Sequence, residues 1–208
     1  VVFPAFAKLD QNPKNMQAFT NNAIRSLLLC ILPVMFLLIV FVPEIINLVY
    51  TNKWLPARTS FYLFAPYSAI TCFISLAGAL INATGHSKIT LRLHWLWTLL
   101  CVTSAYLFSL RLGFFGIAFG TLIGSIPVAI WSINHCRKNY GVKIKAFLGP
   151  ILLALIPIGV GLILKKILVI NSVWMLFMCI SFAVILHFMA LFLTPYRNIF
   201  FFIWKQYA

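Results

Sequence analysis

Long apolar runs separated by short polar gaps make up most of this chain of 208 residues. A helix needs about 20 mostly apolar residues to cross the hydrocarbon core of a bilayer, and about six runs reach that length. None of them alternates polar and apolar residues, and backbone groups in lipid must be paired within the segment, so we expect helices. The predicted fold is all-α, a polytopic membrane bundle of about six transmembrane helices. The predicted spans are 24–50, 60–82, 89–110, 113–136, 146–164 and 172–194.

The segments outside these spans predict three regions. Residues 1–23 form a cytoplasmic linker with a helix start at Asn12 and Pro13, because proline suits the first helical position. Residues 24–194 form the bundle, and residues 195–208, which mix basic and aromatic side chains, form an interfacial cytoplasmic tail. The first residues of the chain are typical of the last turn of a helix that begins upstream. We therefore expect the chain to be part of a longer protein.

Charge is scarce and almost all of one sign. Charged residues are 9% of the chain, against about 25% in a typical soluble domain, and 16 basic residues face 2 acidic ones, Asp10 and Glu44. Most hydrolytic, metal-dependent and proton-coupled chemistries need carboxylates, so we expect an anionic ligand rather than a cationic one. The five cysteines are widely spaced and match no zinc-site spacing, and we expect no disulfide, metal or cofactor.

The positions of the basic residues predict an orientation. They form no contiguous stripe of the kind that duplex binding uses, which argues against a nucleic acid partner. Lysine and arginine concentrate in cytoplasmic loops, and the linker, the gaps after the second and fourth spans and the tail carry most of them. Both ends of the chain are therefore predicted to be cytoplasmic.

Four short motifs, in this order, resemble the C-terminal half of bacterial polysaccharide flippases. These are the O-antigen, colanic-acid and teichuronic-acid type exporters of the multidrug/oligosaccharidyl-lipid/polysaccharide superfamily, and the resemblance covers about residues 1–145. The motifs are PAFAKLD at 4–10, KWLPA at 53–57, GALINATG at 78–85 and LGFFGIA at 112–118.

This resemblance implies a function and a set of partners. The chain would be the second bundle of a two-bundle transporter in the bacterial inner membrane, with the first bundle upstream. It would flip an undecaprenyl-pyrophosphate-linked oligosaccharide by alternating access, for lipopolysaccharide or other surface polysaccharide biosynthesis, and would not be an enzyme. Expected partners are the lipid-linked oligosaccharide, membrane lipids, the missing N-terminal half of the protein and polysaccharide polymerase machinery.

A pyrophosphate headgroup needs a cation aimed into a hydrated groove, and arginine suits phosphate because of its planar fork. Arg92 together with Lys88 is our first candidate for this role, and Arg25, whose polar face Asn21 and Asn22 extend, is the second. Arg111 is a further candidate. The alternative for each is a long basic side chain that snorkels from a membrane boundary to lipid headgroups.

Other residues have a structural and a functional interpretation. Glu44 is either a coupling-ion ligand or a solvated carboxylate near a helix end. His94 and His187 are either proton carriers or hydrogen-bonded structural residues. The helix-packing candidates Gly116, Gly120 and Gly124 form a small-residue stripe, with a hinge as the alternative. Aromatic residues that would suit sugar rings receive no site assignment, because aromatics are 16% of the chain; they are Trp95, Trp97 and Tyr106.

Two other functions stay open. A cation-coupled multidrug extruder of the same superfamily would need membrane carboxylates, of which this chain offers Glu44. A membrane-embedded acyl- or glycosyltransferase would need a base or metal ligand, for which Asp10, His94 and His187 are the candidates.

Overall fold

The computed structural model describes residues 13–143, 145–168, 170 and 172–194, and it is all-helical over that part of the chain. Six helices are each long and apolar enough to cross a membrane, which confirms the predicted fold class. The motif at 4–10, Asp10 and the tail from 195 onward lie outside the described residues. The helices are α1 Pro13–Ile45, α2 Arg58–Ala83, α3 Ser87–Leu112, α4 Phe114–Tyr140, α5 Lys145–Ile167 and α6 Val173–Leu193.

The first helix extends well beyond the first predicted span. Its first described residue is Pro13, where the Asn12 and Pro13 pair predicts a helix start. The helix is not interrupted at Pro33 or Pro43. A π-helical turn, Ile46–Tyr50, follows it, and Thr51 then takes a positive φ of 89° before the short 3-10 helix Asn52–Ala57. This change of helix type turns the chain between α1 and α2.

The helices pack in the spatial order α3, α4, α2, α1, α5, α6. Contacts are most extensive between α3 and α4, between α1 and α5, and between α4 and α2, and α1 also packs on α2. We call the end with the connections 84–86 and 141–143 the lower end. The opposite end, with 51–57, Gly113 and 168–172, is the upper end.

Hydrogen bonds tie the lower end together. Gln17 donates from Nε2 to the carbonyl oxygen of Gly141 at 2.8 Å, and the backbone N–H of Lys143 donates to Oδ1 of Asn21 at 3.0 Å. The hydroxyls of Thr84 and Tyr140 lie 2.7 Å apart. Gly141 ends α4 at φ +64°, a left-handed conformation that favours glycine. Together these bonds connect α1, α2 and α4 to the turn after α4.

Candidate functional site

A groove runs between α2 and α3, with α4 as its floor. Both α2 and α3 pack extensively on α4 but contact each other less. Ile74 of α2 and Leu93 of α3 are buried in one apolar cluster, so the space between the two helices is open only above and below that contact. Helix α3 is the more exposed of the two, and its buried residues are Thr90, Leu93 and Cys101. We call this feature the α2–α3 groove.

Three glycines bring α4 into backbone contact with α3. A Cβ on Gly120 would lie 2.5 Å from Cα of Ala105, and one on Gly124 would lie 2.5 Å from Oγ of Ser104. A Cβ on Gly116 would overlap the carbonyl of Phe108. The same contact carries a hydrogen bond of 2.6 Å from the Ser104 hydroxyl to the carbonyl oxygen of Gly120. This close approach places the floor of the groove directly beside α3.

The lower part of the groove holds a shallow cavity of about 450 Å³ with a lining of both polar and apolar surface, which we call the lower cavity. It lies at the first two turns of α3 and the last turn of α2. The N-terminus of a helix carries partial positive charge and favours anions, and Lys88 adds a full charge there. The lining residues are Asn82, Ser87, Lys88, Thr90, Leu91 and His94.

Internal hydrogen bonds fix one wall of the lower cavity and leave the rest free. Thr90 donates to the carbonyl oxygen of Gly78 at 3.4 Å. His94 donates from Nδ1 to the carbonyl oxygen of Thr90 at 2.9 Å, so in the neutral ring Nε2 is left as an acceptor. Within the described part of the chain, that Nε2 and the side chains of Asn82 and Lys88 have no hydrogen-bond partner. The cavity therefore offers a cation, amide donors and an acceptor.

A second cavity of about 400 Å³ lies further up the groove, which we call the middle cavity. Its wall combines aromatic rings and hydroxyls, including Tyr67 of α2, Trp97 and Thr98 of α3, and Thr121 of α4. The rings of His94 and Trp97 meet edge to face with centroids 5.9 Å apart. Since His94 lines the lower cavity and Trp97 the middle one, this ring pair separates the two.

The structure does not bring the four basic candidates together. Lys88 lines the lower cavity, and Arg92 is exposed one turn further along α3. Arg111 is exposed at the upper end of α3, roughly 35 Å from Lys88 at 1.5 Å per residue. Arg25 is half-buried on α1, and its buried Nε has no hydrogen-bond partner in the described structure. Lys88 and Arg92 therefore lie about one helical turn apart on α3, with Lys88 but not Arg92 lining the lower cavity, and Arg111 is too distant for a phosphate bound at Lys88.

Glu44 forms an ion pair at the upper end rather than standing in solvent. Its Oε1 lies 2.9 Å from Nζ of Lys165 on α5, and its side chain is 18% exposed. Lys165 also donates to the carbonyl oxygen of Val40 at 3.2 Å. A coupling cation at Glu44 would have to compete with this ammonium group.

The remaining candidates fall into two groups. His187 is buried and hydrogen-bonded to the carbonyl oxygen of Leu29 on α1. This agrees with its interpretation as a hydrogen-bonded structural residue. Trp95 and Tyr106 are exposed over 70% and 63% of their surface, so they lie on the outer face of α3. Trp97 is half-buried and lines the middle cavity.

Part of the chain matches a known family. Residues 1–59 match a family model described as "Polysaccharide biosynthesis protein". No curated protein and no solved structure gives a match. The matched residues include α1, the π-helical turn and the KWLPA connection, while the α2–α3 groove lies beyond them. The match supports a polysaccharide biosynthesis family, and the role of the groove rests on its own geometry.

Sequence reasoning missed several residues that line the groove. The sequence assigns no role to Tyr67, Asn82 and Thr98, and it leaves His94 as either a proton carrier or a structural residue. One feature of the sequence does indicate the groove, because polar or small residues recur on α2 at helical spacing. A polar stripe on a membrane span faces a cavity or another helix. The stripe is Tyr67, Thr71, Ser75, Gly78 and Asn82.

Proposed function

We propose that this chain forms part of a flippase that moves an undecaprenyl-pyrophosphate-linked oligosaccharide across the bacterial inner membrane. The observation that carries the proposal is the lower cavity, where a free lysine, a helix N-terminus and unpaired polar groups share one lateral groove. The match of residues 1–59 to a polysaccharide biosynthesis family supports the substrate class.

The groove suits a ligand with a charged head and a long apolar tail. Moving a charged phosphate through hydrocarbon unaided is prohibitively costly, because its hydration is lost. A groove that opens sideways between α2 and α3 keeps the head among polar groups while the polyprenyl tail stays in lipid. The proposed step is therefore movement of an intact molecule, with no covalent bond made or broken.

Each polar group in the groove has a distinct role in this proposal. Lys88 and Arg92 bind the pyrophosphate at the lower end, assisted by the N-terminus of α3. Asn82 and His94 contact the first sugar through an amide and an imidazole nitrogen. The middle cavity, with Tyr67 and Trp97, then accepts sugar rings on aromatic faces as the head advances.

The ion pair at Glu44 favours this substrate over a coupled drug extruder. Glu44 is the one carboxylate in the described part of the chain, and Lys165 already neutralises it. An extruder would therefore need its coupling carboxylates outside these residues. Alternating access of this bundle against a second bundle stays part of the proposal, since transporters commonly place their sites between two halves.

The test measures export and precursor levels in cells whose surface polysaccharide depends on this protein. The Lys88→Ala, Arg92→Ala double variant is expected to reduce polymer export about tenfold or more, from the loss of charge-assisted bonds, and to accumulate lipid-linked repeat units. Lys166→Ala removes an exposed cation from the last turn of α5 and serves as the matched control. Normal export by the double variant at normal protein level would overturn the assignment of Lys88 and Arg92.

A further inference from the structure

A third cavity lies at the upper end, away from the α2–α3 groove. It has a volume of about 250 Å³, and we call it the aromatic cavity. Rings from the π-helical turn, the 3-10 helix, α2 and α4 line it, and the hydroxyl-bearing Ser60, which is 3% exposed, adds to its wall. The five aromatic residues are Tyr50, Trp54, Phe61, Phe64 and Phe114.

The lining and the size point to a hydrocarbon chain. The wall carries no charged side chain and consists mainly of aromatic carbon. Its volume is below the roughly 300–1,000 Å³ typical of small-molecule sites, so it suits a single acyl chain better than a compact multi-ring ligand. Tyrosine and tryptophan side chains are typical of the depth at which lipid headgroups begin, and Tyr50 and Trp54 lie between the end of α1 and the start of α2.

Two cations are next in sequence to residues that line the cavity. Lys53 directly precedes Trp54 and Arg58 directly follows Ala57, a further lining residue, and both cations are exposed. Arg58 is held in place, because its Nε donates to the Tyr62 hydroxyl at 2.9 Å and its guanidinium carbon lies 5.5 Å from the centroid of that ring. Neither Lys53 nor Arg58 has a carboxylate partner among the described residues, where Glu44 pairs with Lys165.

We infer that the aromatic cavity binds an anionic glycerophospholipid of the leaflet that meets the upper end. One acyl chain fills the cavity, and the headgroup phosphate pairs with Lys53 and Arg58. The apolar wall selects for hydrocarbon and the uncompensated cations select for negative charge, so a zwitterionic lipid binds less tightly. This site is independent of the proposed transport activity.

The test uses the complete protein in phosphatidylcholine nanodiscs that contain a small fraction of phosphatidylglycerol with brominated acyl chains. Bromine quenches nearby tryptophan, and the difference between the protein and its Trp54→Phe variant isolates the signal of Trp54. Brominated phosphatidylcholine at the same fraction is the reference lipid. Unlabelled undecaprenyl phosphate is then added as a competitor to distinguish a phospholipid from a polyprenyl carrier.

The inference predicts that phosphatidylglycerol is preferred over phosphatidylcholine by about 25-fold, since each surface cation contributes about fivefold to the binding of anionic lipid. Lys53→Gln with Arg58→Gln abolishes the preference, while Lys166→Gln, which removes an exposed cation at the same end, keeps it. Ser60→Leu fills the cavity and reduces quenching by both lipids. Equal quenching by the two lipids, an unchanged preference in the Lys53 and Arg58 double variant, or tighter binding of undecaprenyl phosphate would each overturn the inference.

Discussion

The imidazole of His187 on α6 donates a hydrogen bond of 3.0 Å from Nε2 to the carbonyl oxygen of Leu29 on α1. Leu29 lies four residues before Pro33, which has no N–H to donate to that carbonyl. An unpaired carbonyl is costly inside a membrane, and His187, 1% exposed, supplies the missing donor. The sixth helix thus completes the hydrogen bonding of the first.

Replacing His187 with Phe is expected to destabilise the protein by about 1–2 kcal/mol, because the Leu29 carbonyl loses its partner inside the span. The measurement is thermal unfolding of the purified protein in detergent. The matched background is Pro33→Ala, which restores an intrahelical N–H for the same carbonyl. In the Pro33→Ala background, His187→Phe should lower the unfolding free energy clearly less than in the natural protein. An equal loss of stability in both backgrounds would contradict the role given to His187.

Breaking the ion pair between Glu44 and Lys165 from one side is expected to destabilise the protein more than removing both charges. A single Glu44→Gln or Lys165→Gln change leaves a partly buried charge without its partner, at about 1–3 kcal/mol, whereas the double change leaves none. Unfolding temperatures of the three variants test this. If Glu44→Gln keeps normal stability and abolishes transport, the carboxylate serves a coupling ion instead.

Adding a methyl group at Gly120 is expected to separate α3 from α4. The new Cβ would lie 2.5 Å from Cα of Ala105, and overpacking of this kind typically costs about 1–3 kcal/mol. Gly159 on α5 is the matched control, because a Cβ there meets no atom within 4 Å and alanine is the better helix former. Unfolding curves should show Gly120→Ala destabilised and Gly159→Ala unchanged or slightly stabilised; equal effects would argue against close packing at Gly120.

The sequence predicted the helices well because the backbone N–H and C=O groups of each span must be hydrogen-bonded within that span. The length of each apolar run is therefore enough to identify a helix that crosses the membrane. The Asn12 and Pro13 pair predicts a helix start, and the described part of α1 begins at Pro13. The small-residue stripe on α4 was visible too, but its partner, the backbone of α3 between Leu100 and Phe108, depends on packing that no local pattern encodes.

The candidate site was less predictable because its members come from distant parts of the chain. Lys88 was found from charge, while the role of His94 depends on its bond to Thr90 and its contact with Trp97. The partners of Glu44 and His187 lie more than 100 residues away in sequence. No local sequence pattern encodes such pairings, which emerge from the three-dimensional packing.

The lower end of the bundle is expected to face the cytoplasm, from the excess of lysine and arginine there. In a variant with its five cysteines replaced, His86→Cys at the lower end and Thr51→Cys at the upper end provide exposed single thiols. A membrane-impermeant maleimide should label Thr51→Cys in intact spheroplasts and label His86→Cys only after permeabilisation. The reverse pattern would invert the orientation, and labelling of both in intact spheroplasts would rule out the predicted topology.

Translocation of an undecaprenyl-pyrophosphate-linked oligosaccharide in liposomes that contain the complete purified protein tests the central claim most directly. A lectin or glycosidase outside the vesicles reports how fast the oligosaccharide changes leaflet. We predict protein-dependent transfer that falls about tenfold or more in the Lys88→Ala, Arg92→Ala variant and is unchanged in Lys166→Ala. Transfer no faster than in protein-free liposomes, or an unchanged rate in the double variant, would contradict the account.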